Sequence, residues 1–210
     1  FASPIIQNPI DLGIDIVIHS ATKYFGGHSD ISAGAVASTQ EIMDKIWDLA
    51  KDFGGNLSDY TVWLLERSMK TLGIRVKAQQ RNAKRLAKYL KKHPAVKAVF
   101  YPGLKSNEYH NLAKIQMKGY GAMLSFELED NYDAEKFLKN LKLIKPSMSL
   151  AGVESTMLLP SKTSHSLLSE LDRINQGITD QLIRFSVGIE TKKDLIDDIE
   201  QAISASNSKR

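Results

Sequence analysis

The sequence predicts an α/β fold in which the end of a sheet-based domain runs into a smaller α+β domain. Three observations carry this. The run IDIVI over residues 14–18 is apolar except at Asp15, as in a strand of a parallel sheet buried on both faces. Apolar residues then recur at Val62, Leu65, Met69, Leu72, Val76, Ala83, Leu86 and Leu90, the three-and-four spacing of one long amphipathic helix. Beyond that helix, short strand-like and helix-like stretches follow one another in the mixture of a small α+β unit.

The elements can be justified in order. Residues 1–9 (FASPIIQNP) contain two prolines and read as irregular chain, with a short helix around Asp11. The strand over 14–19 passes through a tight turn at Gly26 and Gly27 into a second strand, AGAVAS, over 33–38. A helix over 40–51 is broken by FGGNLSD, whose Ser58 or Asp59 caps the long helix. That helix ends in a basic last turn before Pro94. Then come a strand over 96–101, a helix over 108–118 and the alternating strand AMLSFEL over 122–128. A helix over 134–140, strands over 143–145, 155–159 and 182–186, and a closing helix over 192–205 complete the chain. The domain boundary falls inside the long helix, giving units over 1–75 and 76–210.

Composition narrows the function classes. The 210 residues are 42% hydrophobic and 25% charged, the balance of a soluble globular protein. No apolar stretch approaches a membrane span, and residues 1–9 lack the layout of a signal peptide. With no cysteine, disulfide and thiolate chemistry are excluded, and a reducing cytoplasm is the default expectation. The net charge of +4 comes largely from residues 67–92, where lysines and arginines fall mostly on the wet side of the long helix. Few aromatic residues interleave with them, so a solvated face is the better reading than nucleic-acid binding. The five histidines share no metal-ligand spacing, and Asp194, Asp197 and Asp198 read as a wet helix face.

The stretch HSATKYFGGHSD carries the chemistry. Ser20 and Thr22, two apart on extended chain, point the same way and, with nearby amides, suit a phosphate. Lys23 points elsewhere on a flexible stem. Pyridoxal phosphate, with a phosphate at one end and an aldehyde at the other, suits such a set. Spacing alone leaves this open against a plain surface lysine behind a strand, with Ser20 and Thr22 as turn residues.

The same stretch closely resembles the cofactor-lysine motif of the Cys/Met-metabolism (trans-sulfuration) family of pyridoxal-phosphate enzymes. SPIIQNPIDLGIDIVIHSATKY, LLERSMKTLGIRV, GYGAMLSFEL, SLAGVEST and ITDQLIRFSVGIE follow the family in order along the chain. The resemblance implies a fold-type-I PLP-dependent transferase fold, here the C-terminal part of the large PLP domain plus the small α+β C-terminal domain. It implies elimination or replacement at Cγ of sulfur or γ-substituted amino acids, as in cystathionine γ-synthase and γ-lyase. Methionine γ-lyase, cystathionine β-lyase and O-acylhomoserine sulfhydrylase are the family alternatives. A catalytically inert fragment or relative is the alternative from another class.

Carried over by residue, the resemblance makes Lys23 the Schiff-base lysine and Ser20 and Thr22 phosphate ligands. Arg184, in LIRFSVG, becomes the grip on the substrate α-carboxylate, a task that suits a planar guanidinium. Ser149 and Leu150 match the loop that approaches the carboxylate and the lysine, and Ser164 stands where relatives often carry threonine. Met148 replaces a glutamate common in γ-synthases and γ-lyases, removing an anion for a distal ammonium group. Ala151 replaces a usual glycine, read as a small change. The family's ring-stacking tyrosine, pyridinium-pairing aspartate and Gly-Met phosphate contact match nothing in these residues. The resemblance therefore implies a C-terminal half that needs the N-terminal half of the same polypeptide, within a homotetramer.

Overall fold

The computed structural model describes residues 1–207. It contains two sheets. The first is an antiparallel ribbon of β1 (Val17–Ser20) and β2 (Gly34–Ala37). The expectation of a parallel-sheet strand buried on both faces is not met. Val17 is buried, but Ile14, Ile16 and Ile18 stay exposed, Ile18 at 77%. Among the described residues β1 has β2 as its one strand partner, so most of the run meets solvent.

After β2, α1 (Gln40–Phe53) ends on Gly54 in the left-handed conformation, φ 71°. Ser58 caps α2 (Asp59–Met69), its hydroxyl accepting from the Thr61 amide at 3.3 Å. The expected single long helix is in fact two, because α3 (Leu72–Leu90) starts afresh after Lys70 and Thr71. The cause lies at the Ser68 carbonyl, which in a continuous helix accepts from residue 72. Here it accepts from the Thr71 amide, the Thr71 hydroxyl at 3.1 Å and Arg75 Nη2 at 2.9 Å.

The remaining elements are β3 (Val96–Phe100), α4 (His110–Gln116), β4 (Met123–Leu128), α5 (Ala134–Asn140), β5 (Lys145–Pro146), β6 (Thr156–Leu158), α6 (Glu170–Asn175), β7 (Leu182–Ser186) and α7 (Lys192–Ser206). The strands form a sheet of order β3-β4-β7-β6-β5, antiparallel except between β5 and β6. Alternation along β4 sends Leu124, Phe126 and Leu128 into the core, where Phe126 meets Phe137 of α5 edge to face. Leu86 and Leu90 of α3 and Leu195 and Ile199 of α7 complete that side. Helices thus cover one face of the sheet. The other face carries Ser125 of β4 opposite Arg184 of β7, which in turn faces Leu158 of β6. The short helix α6 was not anticipated; it buries no residue, so no apolar period announced it.

The closing helix corrects the reading of its aspartates as one wet face. Asp194 accepts from the Thr191 hydroxyl and Asp197 pairs with Lys193, both at the surface. Asp198 is 6% exposed and accepts from the amides of Lys142 (2.8 Å), Leu143 (3.0 Å) and Ile144 (2.8 Å). One carboxylate thereby satisfies three successive backbone donors ahead of β5.

Asp198→Ala strands those amides and should cost at least about 2 kcal/mol, whereas Asp197→Ala should stay within about 0.5 kcal/mol. Urea melts of both variants against the parent check this. Equal losses would remove the claim that Asp198 holds the 142–144 segment.

Candidate active site

Behind β1 the chain winds through successive turns: the Lys23 amide donates to Ser20 O at 3.0 Å, Gly26 to Ala21 O at 2.8 Å and Gly27 to Lys23 O at 2.7 Å. The winding buries Ala21, Tyr24 and Phe25 and leaves Lys23 half-buried. The Lys23 amine has no hydrogen-bond or ion-pair partner among the described residues, and neither has the Ser20 hydroxyl. Both line a cavity of about 160 Å³, with His19, Phe25 and Leu150 among its walls. The His19 ring sits 4.8 Å from that of Phe25, and burial lowers its pKa. Burial also pushes the Tyr24 phenol up to about 12, so it stays neutral at ordinary pH.

Thr22 is engaged differently. Its hydroxyl accepts from the Ala33 amide at 2.8 Å and donates to the Ala33 carbonyl at 3.3 Å, tying the turn to the chain entering β2. Its proton is therefore committed, whereas that of Ser20 is free.

Arg184 lines a second cavity, about 450 Å³, with Ser125, Met123 and Tyr120. Phe1 and Ala2 are walls of both cavities. Arg184 Nη2 donates to Met148 O at 2.9 Å and reaches Ser149 O at 3.5 Å, while its Nε and Nη1 have no protein partner among the described residues. Burial lowers its pKa, though a guanidinium remains charged near neutrality.

The segment carrying Met148, Ser149 and Leu150 touches both cavities. Leu150 closes the lysine cavity, and the carbonyls of Met148 and Ser149 hold the arginine. The Ser149 hydroxyl lies 3.0 Å from that of Ser29, which donates to Glu154 Oε1 at 2.7 Å. The Met148 side chain, 62% exposed, instead lines a third cavity of about 440 Å³ beside Leu138 and Leu159. Ser164 is exposed, pairs with His165 Nδ1 at 2.8 Å and lines neither of the first two cavities.

Ala151 overturns the reading of a small change from glycine. Its φ is +67°, and it is fully buried with its amide donating to Ser186 Oγ at 2.8 Å. A side chain in the left-handed region costs roughly 1–2 kcal/mol relative to glycine. Arg75 is an exception to the mostly wet placement of the basic residues: it is 5% exposed, with Nη1 donating to Tyr24 O at 2.8 Å and Nη2 to Phe25 O at 3.1 Å. Its position three residues after Leu72 and beside Val76, on the apolar side of the helix, was the available signal.

A family model described as Cys/Met metabolism PLP-dependent enzyme matches residues 1–204. The cystathionine gamma-lyase of Bacillus subtilis (strain 168) is 44% identical over 204 residues, covering 97% of this chain and 54% of that protein. The cystathionine beta-lyase of Lactococcus lactis subsp. cremoris (strain MG1363) has the same identity and coverage. Among solved structures, cystathionine gamma-lyase from Lactobacillus plantarum complexed with L-serine superposes with a TM-score of 0.93 at 42% identity, covering 98% of this chain and 54% of that one. The chain spans about half the length of the curated relatives it matches.

The conformation of residue 151 gives an ordered expectation. Ala151→Gly should be neutral to about 1 kcal/mol stabilising, because relief of strain outweighs loss of a buried methyl group worth about 0.8 kcal/mol. Ala151→Val, overpacked and β-branched at positive φ, should lose about 2 kcal/mol or more. Thermal melts rank the three proteins, and Gly below Ala would contradict the strain.

Proposed function

We propose that this chain, which belongs to the Cys/Met metabolism PLP-dependent enzyme family, supplies the cofactor lysine and the carboxylate grip of an enzyme acting on sulfur or γ-substituted amino acids by elimination or replacement at Cγ. The observation that carries the reading is the Lys23 amine and the Ser20 hydroxyl, both without a partner among the described residues, lining one cavity that shares Phe1 and Ala2 with that of Arg184. The substrate class is that of sulfur and γ-substituted amino acids, and within it the neutral Met148 gives cystathionine no special grip. Gamma- and beta-lyases match this chain at equal identity, so the position of bond cleavage is a choice within the family.

The residues present fit pyridoxal phosphate. A lysine without a counter-ion is available to a carbonyl carbon, and Ser20 offers an uncommitted donor for a phosphate oxygen. Thr22, whose hydroxyl donates to Ala33 O at 3.3 Å, would have to give up that bond to join the phosphate. Bound there, the cofactor supplies an aldehyde for the lysine and a ring that withdraws electrons from the substrate α-carbon.

The protein's own groups do the rest. Arg184 grips the α-carboxylate with the guanidinium N–H groups that the protein leaves free, while the Met148 carbonyl fixes the group through one N–H of Nη2. Ser149 and Leu150 approach from the same segment, Leu150 as an apolar wall that keeps water from the amine. Freed from the cofactor by the incoming substrate amine, Lys23 Nζ would remove a proton at Cα and return one along the substrate. At position 148 a thioether turned into another cavity offers no anion to a distal ammonium group.

The unit over 1–75 acts as the end of the cofactor domain and that over 76–210 as the small domain. Ile18, Trp47, Phe53, Tyr60 and Trp63 leave a broad apolar surface on the first unit. The N-terminal half of the same polypeptide and neighbouring subunits of a homotetramer cover it. Among the described residues no helix is long and apolar enough to cross a membrane, in keeping with a cytoplasmic enzyme.

In the full-length protein, borohydride reduction and peptide mapping should place the cofactor label on Lys23, and Lys23→Ala should lose turnover while keeping its fold. A label on another lysine would sink the assignment. Arg184→Lys should lower kcat/KM about ten- to a hundredfold for every amino-acid substrate, since one ammonium cannot reproduce two parallel bonds. Loss confined to one substrate would remove the carboxylate role.

A further inference from the structure

Helix α3 carries a polar row inside its buried face. Leu72, Val76, Ala83 and Leu86 pack into the core, and Arg75, Gln79 and Asn82 lie among them at three-and-four spacing. Arg75 and Gln79 are 5% and 1% exposed, and Asn82 is half-buried.

Each residue of the row donates to backbone carbonyls of a different segment. Arg75 holds Tyr24 O and Phe25 O, in the turn that follows Lys23. Gln79 Nε2 holds Gly152 O at 2.6 Å, two residues beyond Leu150. Asn82 Nδ2 holds Gly188 O at 3.2 Å and Glu190 O at 2.8 Å, just beyond the strand that carries Arg184. The three segments are also tied to one another. The Val153 amide donates to Gly27 O at 2.9 Å, and the Ile189 amide donates to Val153 O at 2.8 Å.

The row is an uncommon use of a helix core face. Among the described residues Arg75 has no carboxylate partner; Ser68 O and Thr71 Oγ1 take its other donors. A buried charge neutralised only by carbonyl dipoles is costly unless its geometry is well satisfied. Gly27 makes room for it: a Cβ there would lie 1.9 Å from Arg75 Nη1.

We propose that Arg75, Gln79 and Asn82 are positioning residues, and that α3 is the common seat that sets the spacing among Lys23, Leu150 and Arg184. The proposal rests on the function proposed above, in which Arg184 fixes the carboxylate while Lys23 moves a proton at the α-carbon. The row touches neither substrate nor cofactor. It acts through backbone carbonyls, so it fixes where the segments sit without bonding to the side chains of Lys23, Leu150 or Arg184. A misplaced lysine slows proton transfer more than it weakens binding, since displacement by about 1 Å can cost a hundredfold in rate.

The test uses the full-length, cofactor-loaded protein with Arg75→Lys, Gln79→Leu and Asn82→Ala. Hydrogen exchange should rise tenfold or more in residues 22–28 for the first, 150–154 for the second and 186–191 for the third, with smaller changes elsewhere. kcat should fall about tenfold or more in each while KM moves less than about threefold. Gln79→Leu and Asn82→Ala keep the test open if Arg75→Lys fails to fold. Exchange rising evenly along the chain, with rate falling only as the folded fraction falls, would reduce the row to general stability and overturn the proposal. Variants matching a wild type that turns over would overturn this proposal alone. A wild type that takes up no cofactor would overturn the proposed function and this inference together.

Discussion

Among the described residues the buried guanidinium of Arg75 has no anion, and the chain around it offers carbonyls or a hydroxyl to Nε, Nη1 and Nη2. The break between α2 and α3 belongs to this arrangement, because the Ser68 carbonyl is turned toward Arg75 and Thr71 rather than kept in a helical ladder. The turn behind Lys23 belongs to it as well, with Tyr24 and Phe25 presenting their carbonyls inward. The missing side chain at Gly27 is its steric condition. Removing any one of these leaves either a bare charge or unpaired carbonyls, and a buried unsatisfied group costs about 1–3 kcal/mol or more.

The five-stranded sheet divides labour between its faces. Helices α3, α5 and α7 cover one face with interlocking apolar side chains, which makes it rigid. The opposite face is left to polar and mixed residues, Ser125 and Arg184 among them, and to the cavity that the first residues of the chain help enclose. Asp198 plays a similar part at the sheet edge, where one carboxylate organises the approach to β5. A charge buried in this protein is thus met by backbone groups rather than by an opposite charge.

Much of the fold was legible where a local signal coincided with a tertiary one. The bounds of α5 and β7 agree with the sequence reading, because Asp133 caps the one and a clean apolar strand pattern marks the other. Signals failed where side chains bond to distant backbone. Nothing in MKTLGIR announces a helix break made by Ser68 and Arg75, and the apolar period runs straight through it. Asp198 looked wet because it stands beside two aspartates that are. The run IDIVI promised burial on both sides, a promise that depends on neighbours the local sequence does not contain. In the candidate site, spacing left Lys23 and Ser20 open against a surface lysine and a turn residue, and it was the resemblance that singled them out. The engagement of Thr22 with Ala33 is a conformational fact with no residue-type marker, and at 151 the alanine itself points away from the left-handed backbone that the family's usual glycine there suggests.

Arg184 and Ser186 stand two apart on β7 and so share one face of the sheet; Ser186 holds the Ala151 amide while Arg184 meets the carbonyls of Met148 and Ser149. A slip of β7 by one residue would turn both to the helix-covered side at once and bring Phe185 out. Pairing with β4 and β6 sets that phase, so the arginine and the anchor of its facing loop keep or lose their places together, as a single mechanical part.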